Sequence, residues 1–150
     1  MKIKIKKLRE NAVIPHRGTS GAGGVDLYCT EDCTLWKGVP TKLPTGLAFE
    51  IPEGHAGFIM TRSSTALKHV HVSNTLIDSD YRGEVFVTAT HEGHWEGIGG
   101  VNGYVDTYCV KAGDRLAQLY IIPLPEIEFE EVDELSETTR GAGGYGSTGR

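Results

Sequence analysis

An acidic segment near the middle of the chain carries residue types that can do acid–base chemistry. Residues 76–84 read LIDSDYRGE, in which two carboxylates flank a serine, and a tyrosine and an arginine follow at once. If this stretch lies in a strand or hairpin, Asp78 and Asp80 share a face, and such neighbours need a cation, a proton or a water between them. A polar hairpin turn would use the same Asp-Ser-Asp residues without a catalytic role.

Two further segments have residue types that bind phosphate. Residues 61–68 read TRSSTALK, where a guanidinium, two hydroxyls and the N–H groups of a helical turn can face an anion. Residues 140–150 read RGAGGYGSTGR, an arginine followed by glycines whose backbone N–H groups can approach a phosphate closely. This second segment lacks the Gly-Lys-Ser/Thr of the Walker pattern. Helix-capping serines and a frayed terminus are the alternatives that need no ligand.

Two weaker segments are typical of turns that lead into strands. Residues 22–27 read AGGVDL, and the two glycines allow a tight turn before Asp26 enters a strand. Residues 113–118 read GDRLAQ and enter an apolar run, in which Arg115 could simply form an ion pair. Neither segment indicates a function by itself.

The elements that must position these segments are predicted to be short β-strands. Their apolar residues alternate or cluster, and glycine- or proline-containing turns separate them. The predicted runs are residues 3–5, 47–51, 55–60, 85–90, 116–122 and 127–132. Many short strands favour an antiparallel barrel or sandwich, and the lysines of the first strand suit a sheet edge. One helical turn is predicted at residues 65–69, capped by Ser63 or Ser64.

Length and composition narrow the class of protein. A chain of 150 residues fits one domain with a core of its own. Twenty acidic against fifteen basic residues give a net charge of −5, which argues against a clamp on duplex nucleic acid but permits a local site for a small anion. No secretory signal or membrane-length apolar run is present. Three cysteines indicate reduced thiols and a cytoplasmic protein, with zinc at Cys29 and Cys33 a weak alternative.

In this order and at about this spacing, the five segments resemble the five motifs of the homotrimeric all-β dUTPases, from about residue 21 to residue 149. The third and fifth motifs are the most specific. The resemblance implies one domain over 1–150, with a distorted jelly-roll or β-clip barrel in 1–136 and a mobile tail, 137–150, that closes over a neighbouring subunit's site. It also implies Mg²⁺-dependent hydrolysis of dUTP to dUMP and diphosphate, which supplies dUMP for thymidylate synthesis and keeps uracil out of DNA.

The resemblance further implies roles for individual residues. Asp78 would activate the water that attacks the α-phosphorus, and Tyr81 would lie against the deoxyribose and exclude a 2′-hydroxyl. Backbone groups from Asn74 to Ile77 would distinguish uracil from cytosine. The residues expected to bind the phosphates, the metal-bound waters or the base are Arg62, Ser63, Ser64, Gln118, Arg140, Tyr145, Gly146, Ser147 and Thr148. Triphosphate oxygens and waters would hold the Mg²⁺, with Asp26 as an outer-shell partner and no direct protein ligand.

The chain departs from the family's usual motifs at three positions. Thr61 stands where proline usually opens the second motif, and Tyr145 where phenylalanine is commoner in the fifth. Thr75 replaces a glycine three residues before the aspartate, and a left-handed backbone there would strain a threonine.

Residues 91–108 form a longer connection than the family usually has between its third and fourth motifs. We predict an extended surface hairpin there, in which Trp95 could face a protein partner and His91 and His94 could bind a metal only with a third ligand. Two other functions remain open. A dCTP deaminase would lack Asp78 and Tyr81 together with the Arg140 tail, whereas a dUTPase-like regulatory protein would use the 91–108 loop. Neither nucleic acid nor membrane is an expected partner.

Overall fold

The computed structural model of the protein describes residues 1–98 and 101–144, which are almost entirely β-strand and irregular chain. The helical content of these residues is one short turn, α1 (Ser63–Ala66). The strands are β1 (Lys4–Lys7), β2 (Val25–Tyr28), β3 (Cys33–Trp36), β4 (Thr41–Pro44), β5 (Leu47–Glu50), β6 (His55–Thr61), β7 (Val70–Val72), β8 (Thr75–Ile77), β9 (Phe86–His91), β10 (His94–Ile98), β11 (Val101–Val105), β12 (Thr107–Val110) and β13 (Arg115–Pro123). The all-β prediction is confirmed.

The strands form several small antiparallel sheets. The largest has the order β2-β13-β6-β8, and a second has the order β4-β9-β7. Three pairs complete the fold: β1 with β5, β3 with β12, and β10 with β11. These sheets pack in the jelly-roll manner, and within residues 1–98 and 101–144 they do not close into one continuous hydrogen-bonded barrel. The core between them is aliphatic, and its fully buried side chains include Leu27, Leu35, Leu43, Leu47 and Ile59.

The first strand occupies a sheet edge, as its lysines predict. Among the described strands, β1 pairs with β5 alone, and Lys4 Nζ lies 2.7 Å from a carboxylate oxygen of Glu50 across that pair. The ion pair lowers the pKa of the Glu50 carboxyl. The Lys4 side chain is largely exposed and the Glu50 side chain is partly exposed, so the pair adds little to stability and mainly keeps the edge polar.

The strand predicted at 127–132 is wrong. β13 ends at Pro123, and the following residues have no regular structure. Ile127 and Phe129 alternate as in a strand, yet they are 71% and 90% exposed. Pro123 and Pro125 lack N–H donors, and the described part of the chain pairs no strand with this segment, so the apolar side chains have nothing to pack against.

The helical turn is displaced from its prediction, and the proposed serine cap is wrong. Ser63 and Ser64 lie inside the helix, whereas Arg62 occupies the N-cap and makes no capping hydrogen bond with its side chain. The turn continues through bonds from Lys68 N–H to the Thr65 carbonyl and from the next N–H to the Ala66 carbonyl. It ends at residue 69, whose backbone is left-handed.

The hairpin predicted within 91–108 is confirmed. β10 and β11 pair with each other, with the residues at 94 and 105 opposite one another. His91, however, belongs to β9 and is fully buried, and it pairs with Val70 of β7. The hairpin therefore begins after a core strand and not at His91.

The cysteines are free thiols. Burial raises the pKa of the Cys29 thiol, which makes it a poor zinc ligand. Across the residues that the structure describes, no three His, Cys, Asp or Glu side chains are grouped to hold a metal ion. The same residues include no helix able to span a bilayer; the cytoplasmic location stays a prediction.

Candidate active site

One carboxylate holds two arginines at the end of the central sheet. Arg62 Nε lies 2.7 Å from one oxygen of Asp26, and Arg115 Nη1 lies 3.2 Å from the other. Arg62 also donates to the backbone carbonyl of Arg115 at 2.9 Å. These contacts fix the direction of the Arg62 guanidinium before any ligand arrives.

Strand register explains why these residues meet. Gln118 of β13 lies opposite Asp26 of β2 on one side and opposite Met60 of β6 on the other. Because β6 ends at Thr61, the next residue, Arg62, leaves the sheet beside Asp26. The first, second and fourth motifs thus meet at one end of one sheet.

These elements surround an open cleft of about 490 Å³. Its polar lining contains the predicted residues Arg62, Ser63, Ser64, Gln118 and Asp26. The remaining lining residues are Gly18, Thr19, Ala22, Gly23 and Gly24. The guanidinium of Arg62 and the hydroxyl and amide N–H groups of Ser63 and Ser64 are donors, so the cleft suits an anion such as a phosphate chain.

The two glycines before β2 let the backbone of their loop lie close to β13. They are not needed to form a turn with left-handed backbone. Neither Gly23 nor Gly24 has a positive φ. A Cβ at Gly24 would lie 3.0 Å from the Leu119 carbonyl oxygen and 3.2 Å from the Tyr120 ring. The glycines therefore let the loop lie directly against β13.

Thr61, where the family usually has proline, connects two strands. Its hydroxyl accepts from Val72 N–H at 2.8 Å and donates to the Val72 carbonyl at 3.3 Å. The departure from the usual motif thus supplies contacts that hold β6 to β7 beside the cleft.

The acidic segment forms a second cleft. Asp78 follows β8 directly and begins a turn, in which Tyr81 N–H donates to the Asp78 carbonyl at 3.2 Å. The Tyr81 hydroxyl donates to the Glu84 carbonyl at 3.0 Å, which fixes the ring. Ile77, Asp78 and Tyr81 line a cleft of about 260 Å³ together with Lys42 of β4.

Two expectations for this segment change. Asp78 and Asp80 lie in a turn after the strand and line different clefts, so strand alternation does not give them a shared face. Thr75 belongs to β8 and pairs with Ile59. His69 is the one non-glycine residue of the described chain with a positive φ, so Thr75 is not strained.

The two clefts are separate within one chain. They share no lining residue, and β8 and β2 lie at opposite edges of the four-stranded sheet. The phosphate-type donors and the acidic turn therefore lie in two separate clefts, which are called the two candidate half-sites, or half-sites, below.

The predicted tail residues are only partly described. Arg140 is exposed, and its Nε donates to the Gly143 carbonyl at 3.0 Å within a local turn. The roles predicted for Tyr145, Gly146, Ser147 and Thr148 fall outside the described residues. Asn74 is exposed just before β8 and does not line either cleft.

Sequence reasoning did not predict the contacts that three residues make near the half-sites. Arg115 was noted as a general ion-pair residue, and its partner proves to be Asp26. Lys42 belongs to β4, which contains none of the five motifs. Nothing in the sequence therefore indicated that Lys42 lines the Asp78 cleft. Glu84 accepts from Arg9 Nε at 3.1 Å and from Gly46 N–H at 2.9 Å, and so anchors the end of the acidic turn.

The residues present fit a magnesium ion that arrives with its phosphate. Both Asp26 oxygens already accept from guanidinium groups, which leaves lone pairs for waters but no free carboxylate for a direct bond. Mg²⁺ keeps several waters when it binds with phosphates, so an arginine-rich cleft without a carboxylate cage is compatible with it.

Comparisons with known proteins agree on one family. The dUTPase family model matches residues 10–149. The deoxyuridine 5′-triphosphate nucleotidohydrolase of Nautilia profundicola is 44% identical over 153 residues, which cover all of both chains. The dUTPase of Staphylococcus bacteriophage 80alpha, solved with dUPNHPP, is 26% identical with a TM-score of 0.87 and 99% of each chain covered. A mutant dUTPase of S. aureus phage phi11, whose structure reveals the coordination of a structural Mg(II) ion, is 28% identical with a TM-score of 0.76, covering 89% of this chain and 98% of its own.

The matched region contains both half-sites and most of the glycine-rich tail. The chain therefore belongs to the dUTPase family.

Proposed function

We infer that the protein hydrolyses dUTP to dUMP and diphosphate. The observation that carries this inference is the pairing of a phosphate-type cleft with an acidic turn, on a chain 44% identical throughout to a deoxyuridine 5′-triphosphate nucleotidohydrolase. Its product would supply thymidylate synthesis, and removal of dUTP would keep uracil out of DNA.

The arginine cleft would bind the triphosphate. Arg62, held by Asp26, would contact phosphate oxygens together with the Ser63 and Ser64 hydroxyls. Gln118 Nε2, which donates to the Thr61 carbonyl at 3.4 Å, would orient phosphates or metal-bound waters. Preset donors lower the barrier because they need no reorganisation as charge develops on the leaving diphosphate.

The acidic turn would carry the base and the sugar gate. Asp78 is exposed at the mouth of its cleft, where it can hold a water and take its proton. Tyr81, fixed through Glu84, would lie against C2′ of the deoxyribose and leave no room for a hydroxyl. Backbone groups of residues 74–77 would pair with uracil N3 and O4, and cytosine would leave them unsatisfied.

Magnesium would enter as a complex with dUTP. When bound, Mg²⁺ neutralises charge on the phosphate oxygens. Arg62 and Ser63 would hold the other phosphate oxygens, and Asp26 would contact the waters of the ion. The mutant dUTPase of S. aureus phage phi11 coordinates an Mg(II) ion that is described as structural, so a relative is able to bind this metal.

Two features favour a homotrimer with shared sites. The two half-sites of one chain do not meet, so a complete site needs the acidic turn of another chain. The segment after β13 also exposes Ile127, Phe129 and Leu135. An apolar cleft along the edge strand β1 and its neighbours offers another copy's segment a place to pack. The tail from Arg140 would then cover the neighbour's site.

A second role, as a binding protein for a partner, is favoured by the β10–β11 hairpin. Trp95 is 71% exposed there and packs edge-on against Tyr104 with ring centres 5.3 Å apart. Large exposed aromatic side chains are enriched at protein interfaces.

The test of the main proposal is a panel of dUTP, dCTP, dTTP and UTP with and without Mg²⁺. Diphosphate release should be confined to dUTP and should require Mg²⁺. Ammonia release from dCTP would instead identify a deaminase, and the absence of any turnover would favour the binding role alone.

A further inference from the structure

A polar cleft beside the one proposed for the triphosphate has no part in the proposed reaction. It has a volume of about 370 Å³ and is called the lysine cleft below. It shares Arg62 and Ser64 with the cleft for the triphosphate, which is called the phosphate cleft. The side chains that line the lysine cleft with a charge are those of Arg62, Lys68, Asp114 and Arg115, and Ser64 and Tyr108 line it with hydroxyl groups.

Three separate elements build the lysine cleft. Lys68 follows α1, and its N–H donates to the Thr65 carbonyl at 3.0 Å. Tyr108 belongs to β12, where it pairs with Leu35 of β3. Arg115 begins β13 at an irregularity, because the register of β13 with β2 shifts after this residue. Such bulges redirect side chains and are common beside functional sites.

The charges around the lysine cleft are unbalanced. Three cations line it against one carboxylate, Asp114, and that carboxylate already accepts from Lys111 N–H at 2.9 Å. Asp26 is paired with the two arginines but lines the phosphate cleft instead. Among the described residues, no carboxylate lies within ion-pair distance of Lys68. The ammonium group of Lys68 is therefore a positive charge without a counter-ion in the described chain.

The hydroxyl groups of the lysine cleft have protons left to donate. Lys68 Nζ donates to the Tyr108 hydroxyl at 3.2 Å, and Arg62 Nη1 donates to Ser64 Oγ at 3.4 Å. A hydroxyl that accepts a hydrogen bond keeps its own O–H, and an ammonium has three donors. The Tyr108 ring lies near His91, with ring centres 6.1 Å apart, and below Lys68, whose Nζ is 5.7 Å from the ring centre. The cleft thus offers several donors at once, and a multivalent oxyanion is the class of ligand that can accept from them.

We propose that the lysine cleft binds a free diphosphate ion while a nucleotide occupies the phosphate cleft. Diphosphate has acceptor oxygens at both ends, and hydrogen bonds from ammonium or guanidinium groups to phosphate are about twice as strong as neutral ones. The volume of the cleft falls within the range of small-ligand sites. Because Arg62 and Ser64 line both clefts, the lysine cleft would receive the diphosphate that leaves the phosphate cleft. This last step rests on the proposed hydrolysis, whereas the binding site itself does not.

The experiment measures the binding of inorganic diphosphate to the intact protein by isothermal titration calorimetry. The phosphate cleft is first saturated with the imido analogue dUPNHPP and an equimolar amount of Mg²⁺, and this first titration tests the proposed function separately. Diphosphate should then bind saturably, with one ion per chain. Absence of diphosphate binding to the analogue-saturated protein would overturn the proposal.

Variants locate the ion. Lys68→Met and Tyr108→Phe should each weaken diphosphate binding about fivefold or more, because each removes a donor and keeps most of the side chain. Lys111→Met is the matched control. Lys111 is a nearby exposed lysine that does not line the cleft, and its Nζ lies 2.8 Å from Asp32. This control should bind diphosphate as the wild type does. Wild-type affinity in both cleft variants, or an equal loss in the control, would overturn the proposal.

A comparison without nucleotide decides the matter even if the protein does not bind the analogue. Ser63 lines the phosphate cleft but not the lysine cleft. In nucleotide-free protein, Ser63→Ala should therefore keep the diphosphate-binding component that Lys68→Met loses. Loss of that component in Ser63→Ala alone would assign diphosphate to the phosphate cleft and refute the separate site.

Discussion

At the scale of single residues, Asp26 and Asp78 have different surroundings, which predict different roles for the two carboxylates. Asp26 is committed to two guanidinium groups through both oxygens, so it serves to orient Arg62. Asp78 lies exposed after an edge strand and has no ion-pair partner among the described residues. Of these two carboxylates, Asp78 is therefore the one that we expect to accept a proton from water.

Replacing the proposed base should abolish most of the activity without unfolding the protein. We expect Asp78→Asn to lower kcat for dUTP by about 10²-fold or more, because the amide cannot take the proton. Steady-state diphosphate release measures the effect, with Asp80→Asn as the matched control in the same turn. Near-native turnover by Asp78→Asn would assign the base to another group.

The sugar gate should depend on the ring of Tyr81 and less on its hydroxyl. Tyr81→Ala should admit UTP while dUTP is still cleaved, because the wall beside C2′ is removed. Tyr81→Phe keeps the ring, loses the bond to Glu84, and should still reject UTP. The ratio of kcat/KM for dUTP to that for UTP reports the gate, and an unchanged ratio in folded Tyr81→Ala would rule it out.

At the scale of elements, the turn before β5 is a point of close packing. Gly46 has a φ of +67°, and a Cβ there would lie 2.8 Å from the Ala12 Cβ. We expect Gly46→Ala to lower the free energy of unfolding by about 2–4 kcal/mol, since it adds overpacking to backbone strain.

Gly54→Ala is the matched control for this change. Gly54 has a φ of +71° with nothing within 4 Å of an added Cβ, so it should show only the backbone cost of about 1–2 kcal/mol. Urea unfolding of both variants separates the two contributions, and equal losses would contradict the packing argument.

The hairpin should be dispensable for hydrolysis if it is trimmed above its base. Removing His91 would take away a buried core residue, so the replacement should cover residues 95–104 only. His94 and Val105 lie opposite each other, and an Asn-Gly turn can join them. Turnover of dUTP should stay within a few-fold of the wild type. A collapse of activity in the folded, assembled variant would place the hairpin in the site.

The spacing of apolar residues along the sequence predicted those strands in which the apolar residues are also the buried ones. The alternation in β9, with Val87, Ala89 and His91 buried, is an example, and β1, β5, β6 and β13 were also found. The run at 127–132 has the same alternation, but no strand among the described residues pairs with it, and the spacing of apolar residues does not show whether a partner strand exists. Likewise, Lys42 lines the Asp78 cleft because β4 pairs with β9, a strand distant in sequence, and no local motif predicts that pairing.

At the scale of the whole molecule, the separation of the half-sites makes complementation the decisive measurement. Asp78→Asn and a chain truncated after Thr139 should each be inactive alone. After co-refolding in equal amounts, a site works only when the truncated chain gives its Asp78 and the other chain gives its tail. Random assembly in a closed threefold ring should restore about a quarter of the sites.

Mass measurement must first show that the mixture contains mixed trimers. If each tail covered its own chain's Asp78, no site in such trimers would hold both parts. Background diphosphate release from verified mixed trimers would therefore refute the shared site.

The strand order β2-β13-β6-β8 has a consequence for how the two half-sites move. The phosphate cleft is built on β13, whose amides are flanked by strands on both sides, whereas the acidic turn follows β8 at the edge. Amide hydrogens of β13 should exchange with solvent only when the sheet opens, while those of residues 75–81 should exchange through small local openings. Nucleotide binding should then slow exchange most in the acidic turn. The acidic turn, which would bind the base and sugar, would become ordered when the substrate binds. The phosphate cleft would already be ordered before the substrate binds.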